Sequence, residues 1–141
     1  MANIGDLNSD GVQDFAVSAL DSSSGYCALY ILFMARDGTV QSYSTVDSYG
    51  QGGGPDLARL QTFPGFGSSI AVVGDLNHDG HADLAVGANT AYDQGSRNTG
   101  AGAVYVLFMS GNGTVLKYQR ISELSGAPSH ALPLVVPIYS T

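Results

Sequence analysis

Two ten-residue acidic stretches constrain this chain more than anything else in it. Gly74-Asp75-Leu76-Asn77-His78-Asp79-Gly80-His81-Ala82-Asp83 repeats Gly5-Asp6-Leu7-Asn8-Ser9-Asp10-Gly11-Val12-Gln13-Asp14. Counted from its first aspartate, each stretch has a carboxylate or carboxamide at the first, third, fifth and ninth positions, and a glycine at the sixth, where the chain must turn sharply. Oxygen ligands at alternate positions around a glycine turn are how a short loop surrounds one calcium ion. One copy is no more than a polar turn; two copies, each leading into the same kind of apolar run, are a repeat.

The rest of the chain follows the same duplication. Residues 5–19 match residues 74–88 at ten of fifteen positions, and residues 28–43 match 103–118 at nine of sixteen, with offsets of 69 and 75. The difference is an insertion in the 89–102 loop. One unit reads as four short strands. In the second copy these are Ser68 to Val73, then Leu84 to Ala88, an apolar run from Ala103 to Met109, and a polar run from Thr114 to Ile121. In the first they are a stub at residues 1–4, then Phe15 to Ala19, Ala28 to Met34 and Thr39 to Val46. Hairpin turns are expected at Arg36-Asp37-Gly38 and Gly111-Asn112-Gly113, where Asx-Gly chemistry favours a tight reversal. The continuous apolar runs predict strands covered on both faces, and the polar fourth runs predict sheet edges. Short turns between successive strands make an antiparallel meander, and a repeated four-stranded meander is a propeller blade. The fold class is therefore all-β, with β-propeller blades of four antiparallel strands. Residues 47–65, rich in glycine, read as an inter-blade connector. Residues 123–141 read as a connector to a further blade, and Pro128, Pro133 and Pro137 speak against a central strand there.

Composition agrees and excludes several classes. The 141-residue chain has 19 glycines, 12% charged residues and a formal charge of −7. Six of its twelve acidic residues lie in the two loops, so two bound Ca²⁺ would bring −7 to −3. Five scattered Lys and Arg leave no basic surface for nucleic acid. No apolar run is long enough to span a membrane, and Met1-Ala2-Asn3-Ile4 runs into the first loop without a signal peptide. The expectation is either a cytoplasmic protein or an internal piece of a longer secreted one.

Phe66-Gly67-Ser68-Ser69, the acidic loop, Asp83-Leu84-Ala85-Val86-Gly87-Ala88 and Gly102-Ala103-Val104-Tyr105-Val106-Leu107-Phe108 together resemble the FG-GAP repeat. That repeat builds the seven-bladed propeller of integrin alpha chains and occurs in other surface proteins. This chain departs from it where the family's Gly-Ala-Pro reads Gly87-Ala88-Asn89 and Ser18-Ala19-Leu20, and where the first copy lacks its Phe-Gly. The resemblance implies a partial blade at 1–46 (three strands beyond the stub), a complete blade at 66–122, and Ca²⁺ in both loops. Asp6, Asn8, Asp10 and Asp14 would ligate by side chain with the Val12 carbonyl; Asp75, Asn77, Asp79 and Asp83 would do so with the His81 carbonyl. It further implies a cell-surface or extracellular setting. A protein or carbohydrate ligand would bind the face opposite the calcium loops, made here by residues 89–102 and the two connectors. Further blades, or self-association, would cover the open blade faces.

Other chemistries fit less well. An EF-hand or dockerin loop needs a bidentate acid at position twelve, which is Val17 in one copy and Val86 in the other. A metal-free pair of Asx turns must hold carboxylates together, and two of them ~4 Å apart repel by about 4 kcal/mol at an effective dielectric near 20. Magnesium prefers a stricter octahedron, and zinc would have only His78 and His81 for nitrogen ligands. No Gly-x-Ser-x-Gly elbow exists, and Gly100-Ala101-Gly102 lacks the third glycine of a dinucleotide site, so no enzyme is expected. Cys27 reads as a buried structural thiol. Asn112-Gly113-Thr114 fits the N-glycosylation sequon, but a turn Asn-Gly needs no such explanation. Tyr30, Tyr43, Tyr105 and Tyr118 recur at matched positions as packing residues. The expected function is binding at a cell surface with a structural metal. The alternatives are an accessory module beside the catalytic domain of a phospholipase or polysaccharide-degrading hydrolase, or a non-functional truncated fragment.

Overall fold

Alternation of apolar side chains, glycine turns and β-branched residues resolves into ten β-strands among the described residues of a computed structural model. It describes residues 1–20, 27–46, 65–91, 102–122, 134–135 and 139–140. The strands are β1 (Ala2–Gly5), β2 (Asp14–Leu20), β3 (Cys27–Met34), β4 (Val40–Val46), β5 (Phe66–Gly74), β6 (Asp83–Ala88), β7 (Ala103–Met109), β8 (Val115–Ser122), β9 (Leu134–Val135) and β10 (Tyr139–Ser140). The first sheet has the order β1-β2-β3-β4 and the second β10-β8-β7-β6-β5, with β9 also on β8. Every pairing is antiparallel. Each sheet therefore contains the four-strand meander of a propeller blade, and residues 1–4, expected as a stub, form the short β1.

The two meanders share their strand order and most of their irregularities, the shift between Phe66 and Ser69 belonging to the second alone. Register shifts occur between Asn3 and Gly5 and between Val72 and Gly74, where each acidic loop begins. Further shifts occur between Phe33 and Met34 and between Phe108 and Met109, where each hairpin begins. Both hairpins close with the same pair of bonds. The Gly38 amide donates to the Ala35 carbonyl at 3.0 Å and the Gly113 amide to that of Ser110 at 2.9 Å. The Ala35 and Ser110 amides donate to the Thr39 and Thr114 carbonyls at 2.8 and 2.9 Å.

One hydrophobic cluster joins the sheets. It runs from Leu29, Ile31, Phe33 and Val46 of the first to Leu84, Val86, Tyr105 and Leu107 of the second. Two glycines let the backbones approach. A Cβ on Gly67 would stand 2.9 Å from the Ser18 Cβ, and one on Gly113 would stand 3.0 Å from the Ser44 Cβ and 3.1 Å from the Phe33 ring. The Ser44 hydroxyl donates to the Gly113 carbonyl across the same seam at 3.0 Å.

Two expectations are corrected by this packing. The apolar third strands are not fully covered on both faces. β3 alternates buried and half-buried residues, and in β7 Tyr105 is fully buried while Val104 is 42% exposed. Only one face of each strand belongs to the seam between the sheets. Nor is β8 a sheet edge, because β9 and β10 pair along it. Both are two-residue strands along the outer side of β8. β4 is an edge, as its polar sequence predicts. The connector at 47–65, apart from Gly65, and the turn at Ser22 to Gly25 lie outside the described residues, as does most of 123–141.

Candidate metal-binding loops

Each acidic loop joins the first strand of a meander to the second, and the backbone inside it is folded by its own carboxylates. In the first loop Asp6 accepts the Asp10 and Gly11 amides through its two oxygens, each at 2.9 Å. Asn8 Oδ1 also accepts from the Asp10 amide, at 3.2 Å, while Asn8 Nδ2 donates to Asp10 Oδ2 at 2.9 Å. Asp10 Oδ1 then accepts the Val12 amide at 2.8 Å. The second loop reproduces every contact. Asp75 accepts the Asp79 and Gly80 amides at 3.0 and 2.8 Å, Asn77 accepts from Asp79 at 3.3 Å and donates to it at 2.7 Å, and Asp79 accepts the His81 amide at 2.9 Å.

The turn demands left-handed backbone at matched points. Gly11 and Gly80 have φ of 86° and 92°, and Ser9 and His78, which are not glycine, sit at 61° and 60°. The bonds of the flanking Asx side chains hold these two residues in that conformation despite its cost to a residue with a Cβ. The amide of Gly80 and the others that Asp75 accepts hold its carboxyl below the ordinary carboxylate range.

The ninth position of each loop has a different setting. Asp14 and Asp83 are fully buried. Asp14 accepts the Leu7 amide at 3.0 Å and, from the start of the hairpin, the Met34 amide at 3.1 Å. Asp83 accepts the Leu76 amide at 2.8 Å and the Met109 amide at 3.1 Å. Each of these aspartates therefore clips its own loop to the third strand of its own sheet. Spacing had marked them as ligands; the clip joins residues 20 and 26 positions apart in sequence and had no local signal.

Among the described residues, no three acidic, imidazole or thiol side chains stand close enough together to share one ion. Asp6, Asn8, Asp10 and their counterparts are turned onto backbone amides within their own loops. The Val12 and His81 backbones take part through their amides. The donor set is nonetheless oxygen throughout, and a carboxylate has about four lone-pair sites, so one amide per oxygen leaves capacity for a hard cation. The chemistry of these residues thus fits calcium, and the same amides explain how a carboxylate-rich loop can hold its shape by itself.

The loops also meet each other. His81 Nδ1 lies 3.0 Å from the carbonyl oxygen of Leu7, and the Leu7 side chain is buried at 1% exposure. Its counterpart Leu76 is 51% exposed. His78 is exposed. Cys27 is buried, and burial pushes its thiol up, against a smaller opposing effect from the Gly65 backbone. The tyrosines pack as expected: Tyr105 stands edge-on to Phe66 at 5.5 Å and tilted to Tyr118 at 6.1 Å, and Tyr30 repeats the second contact with Tyr43 at 6.1 Å. No helix among the described residues is long and apolar enough to cross a membrane. Of the expected ligand face, residues 92–101 and the connectors lie outside the described residues, apart from Gly65 and the short strands β9 and β10.

Comparison with known proteins agrees with this geometry. The FG-GAP repeat profile matches residues 66–107, which span β5, the second acidic loop, β6 and most of β7. Human integrin alpha-8 is 33% identical over 139 residues, covering 92% of this chain and 11% of the integrin. Integrin alpha-PS5 of Drosophila melanogaster is 37% identical over 114 residues, 77% of this chain and 9% of that one. Integrin alpha-5 of Xenopus laevis is 40% identical over 91 residues, 59% of this chain and 8% of that one. The chain spans about a tenth of the length of these curated relatives. Two stacked four-strand meanders, a duplicated acidic loop between the first and second strands, and these likenesses place the chain in the FG-GAP repeat family.

Proposed function

We propose that the chain is a calcium-stabilised pair of propeller blades in a cell-surface or secreted recognition protein. Residues 1–46 would be one partial blade and residues 66–122 a complete one, with 47–65 and 123–141 as connectors. Asp6, Asn8, Asp10, Asp14 and the Val12 carbonyl would hold one Ca²⁺; Asp75, Asn77, Asp79, Asp83 and the His81 carbonyl would hold another. Bound calcium would offset the loop carboxylates and tie each loop to its sheet. Its role is structural, and the proposed activity is binding rather than catalysis. The observation that carries this reading is the atom-for-atom repetition of the loop hydrogen bonds in two sheets of the same topology.

Recognition of a protein or carbohydrate is assigned to the end opposite the loops. Asp14 and Asp83 bind the starts of the β3–β4 and β7–β8 hairpins, so loops and hairpins occupy one end of the stack. The connectors leave from the other. The similarity to integrin alpha chains supports a surface setting.

Calorimetric titration of the metal-stripped chain tests the calcium reading. Two binding events are expected, with one lost in Asp10→Ala and the other in Asp79→Ala. At a free concentration ten times Kd, each site raises stability by about 1.4 kcal/mol. No heat and no melting shift at millimolar Ca²⁺ would reject the reading. Binding to arrayed extracellular proteins and glycans, with and without calcium, tests the recognition role.

A further inference from the structure

We propose that Asn112 is an acceptor for N-linked glycan. Asn112-Gly113-Thr114 is the one Asn-x-Ser/Thr sequence in the chain, and it occupies the tip of the β7–β8 hairpin. The amide side chain is exposed and held in one orientation. Asn112 Oδ1 accepts the Thr114 amide at 3.1 Å and the Thr114 hydroxyl at 2.8 Å, and it also accepts from the Ser110 hydroxyl. Every bond that Asn112 makes to the described residues goes through Oδ1. None of these bonds engages Nδ2, and Asn112 is exposed.

The equivalent hairpin of the first sheet shows what the turn itself requires. There Asp37 Oδ1 accepts the Thr39 amide at 3.0 Å and the Thr39 hydroxyl at 2.7 Å. A carboxylate builds the same turn, so the fold does not need a carboxamide at this position. What Asn112 adds is Nδ2, the atom that glycosylation uses. The hairpin lies beside the second acidic loop, since a Cβ on Gly111 would meet the His81 ring at 2.6 Å. A glycan there would project from the loop end and leave the opposite end open for ligand.

The co-substrate class is an oligosaccharide linked through diphosphate to a polyisoprenoid lipid. The bond between sugar C1 and the phosphate oxygen breaks and a bond between C1 and Asn112 Nδ2 forms. The Nδ2 proton passes to a base on the transferase, and the lipid diphosphate leaves. The site rests on the surface reading, because such transfer occurs on secreted chains.

The test expresses the full chain behind a cleavable secretion leader in a glycosylating eukaryotic host. Electrophoresis before and after peptide-N-glycosidase, with peptide mass spectrometry, reads the modification. The secreted chain and Thr114→Ser are expected to shift on treatment, with Asn112 converted to Asp. Asn112→Asp, which keeps the hairpin as Asp37 does, and Thr114→Ala are expected to run unshifted. Secreted, folded wild type with intact Asn112, or a shift that survives Asn112→Asp, overturns the proposal. The leader supplies the compartment, so modification there supports the site even if the native protein is found inside cells, and the two readings fail separately.

Discussion

Replacing Asp83 by asparagine separates a backbone clip from a metal ligand. Asp83 is fully buried, and its two oxygens accept the Leu76 and Met109 amides at 2.8 and 3.1 Å. Asparagine keeps one acceptor and turns the other into an NH₂ facing an amide proton. One hydrogen bond to a charged acceptor is lost, which contributes about 1.5–3 kcal/mol, and a buried donor is left unsatisfied. The expected loss is about 3 kcal/mol, a large share of the ~5–15 kcal/mol that holds a domain folded. For a chain of this length that lowers the melting temperature by roughly 10 °C. Far-UV circular dichroism on heating, with and without a calcium chelator, measures it. Because both oxygens are engaged by backbone, most of the loss should persist in chelator. If chelated wild type and chelated Asp83→Asn melt together, Asp83 acts through metal alone and the clip argument is wrong. Asp14→Asn should repeat the result in the first sheet through Leu7 and Met34.

Gly113→Ala combines left-handed strain with a collision against Ser44 and Phe33 of the other sheet, for about 3 kcal/mol in urea unfolding. Gly38→Ala has the same strain at φ +84° but open space around it, so about 1 kcal/mol is expected; equal losses would mean the seam is not packed as described. His78→Gly relieves a φ of 60° and should stabilise by up to about 1 kcal/mol, while a clear loss in the same unfolding assay would show that the imidazole has an unseen role. The Thr39 hydroxyl, and then its amide, hold the Asp37 carboxyl below the usual range. Its contribution to stability is therefore present above the unfolded carboxylate pKa and lost as pH falls through the lower folded value. Thr39→Ala should move the Asp37 titration upward by NMR, and an unmoved value refutes the assignment.

The strands, hairpins and acidic loops were legible because each rests on local chemistry that occurs twice. Alternating apolar residues, Asx-Gly turns and carboxylates at alternate positions need only near neighbours in sequence. Other features were not legible because they depend on distant partners. The pairing of β9 and β10 with β8 involves short runs set off by Pro133 and Pro137, and in the sequence the prolines outweigh the β-prone Val and Tyr. The bond between His81 and the Leu7 carbonyl joins positions 74 apart, and no pattern marks it. Gly113 reads as a turn residue until Ser44 and Phe33 are placed opposite it, and nothing in the sequence marks Ser18 as the neighbour of Gly67.

The clearest division lies in residues that the repeat makes equivalent. Tyr43 and Tyr118 occupy the same position in two matching strands, and each packs on the tyrosine before it. Tyr118 is 6% exposed and Tyr43 is 66% exposed. Leu7 and Leu76 occupy the same loop position, at 1% and 51%. Sequence alone determined the blade, since the information for a meander and its loop is local and is carried in each copy. Only the tertiary structure decided which copy's surface is interior, because burial belongs to a pair of faces, and a face is buried only where another sheet lies against it.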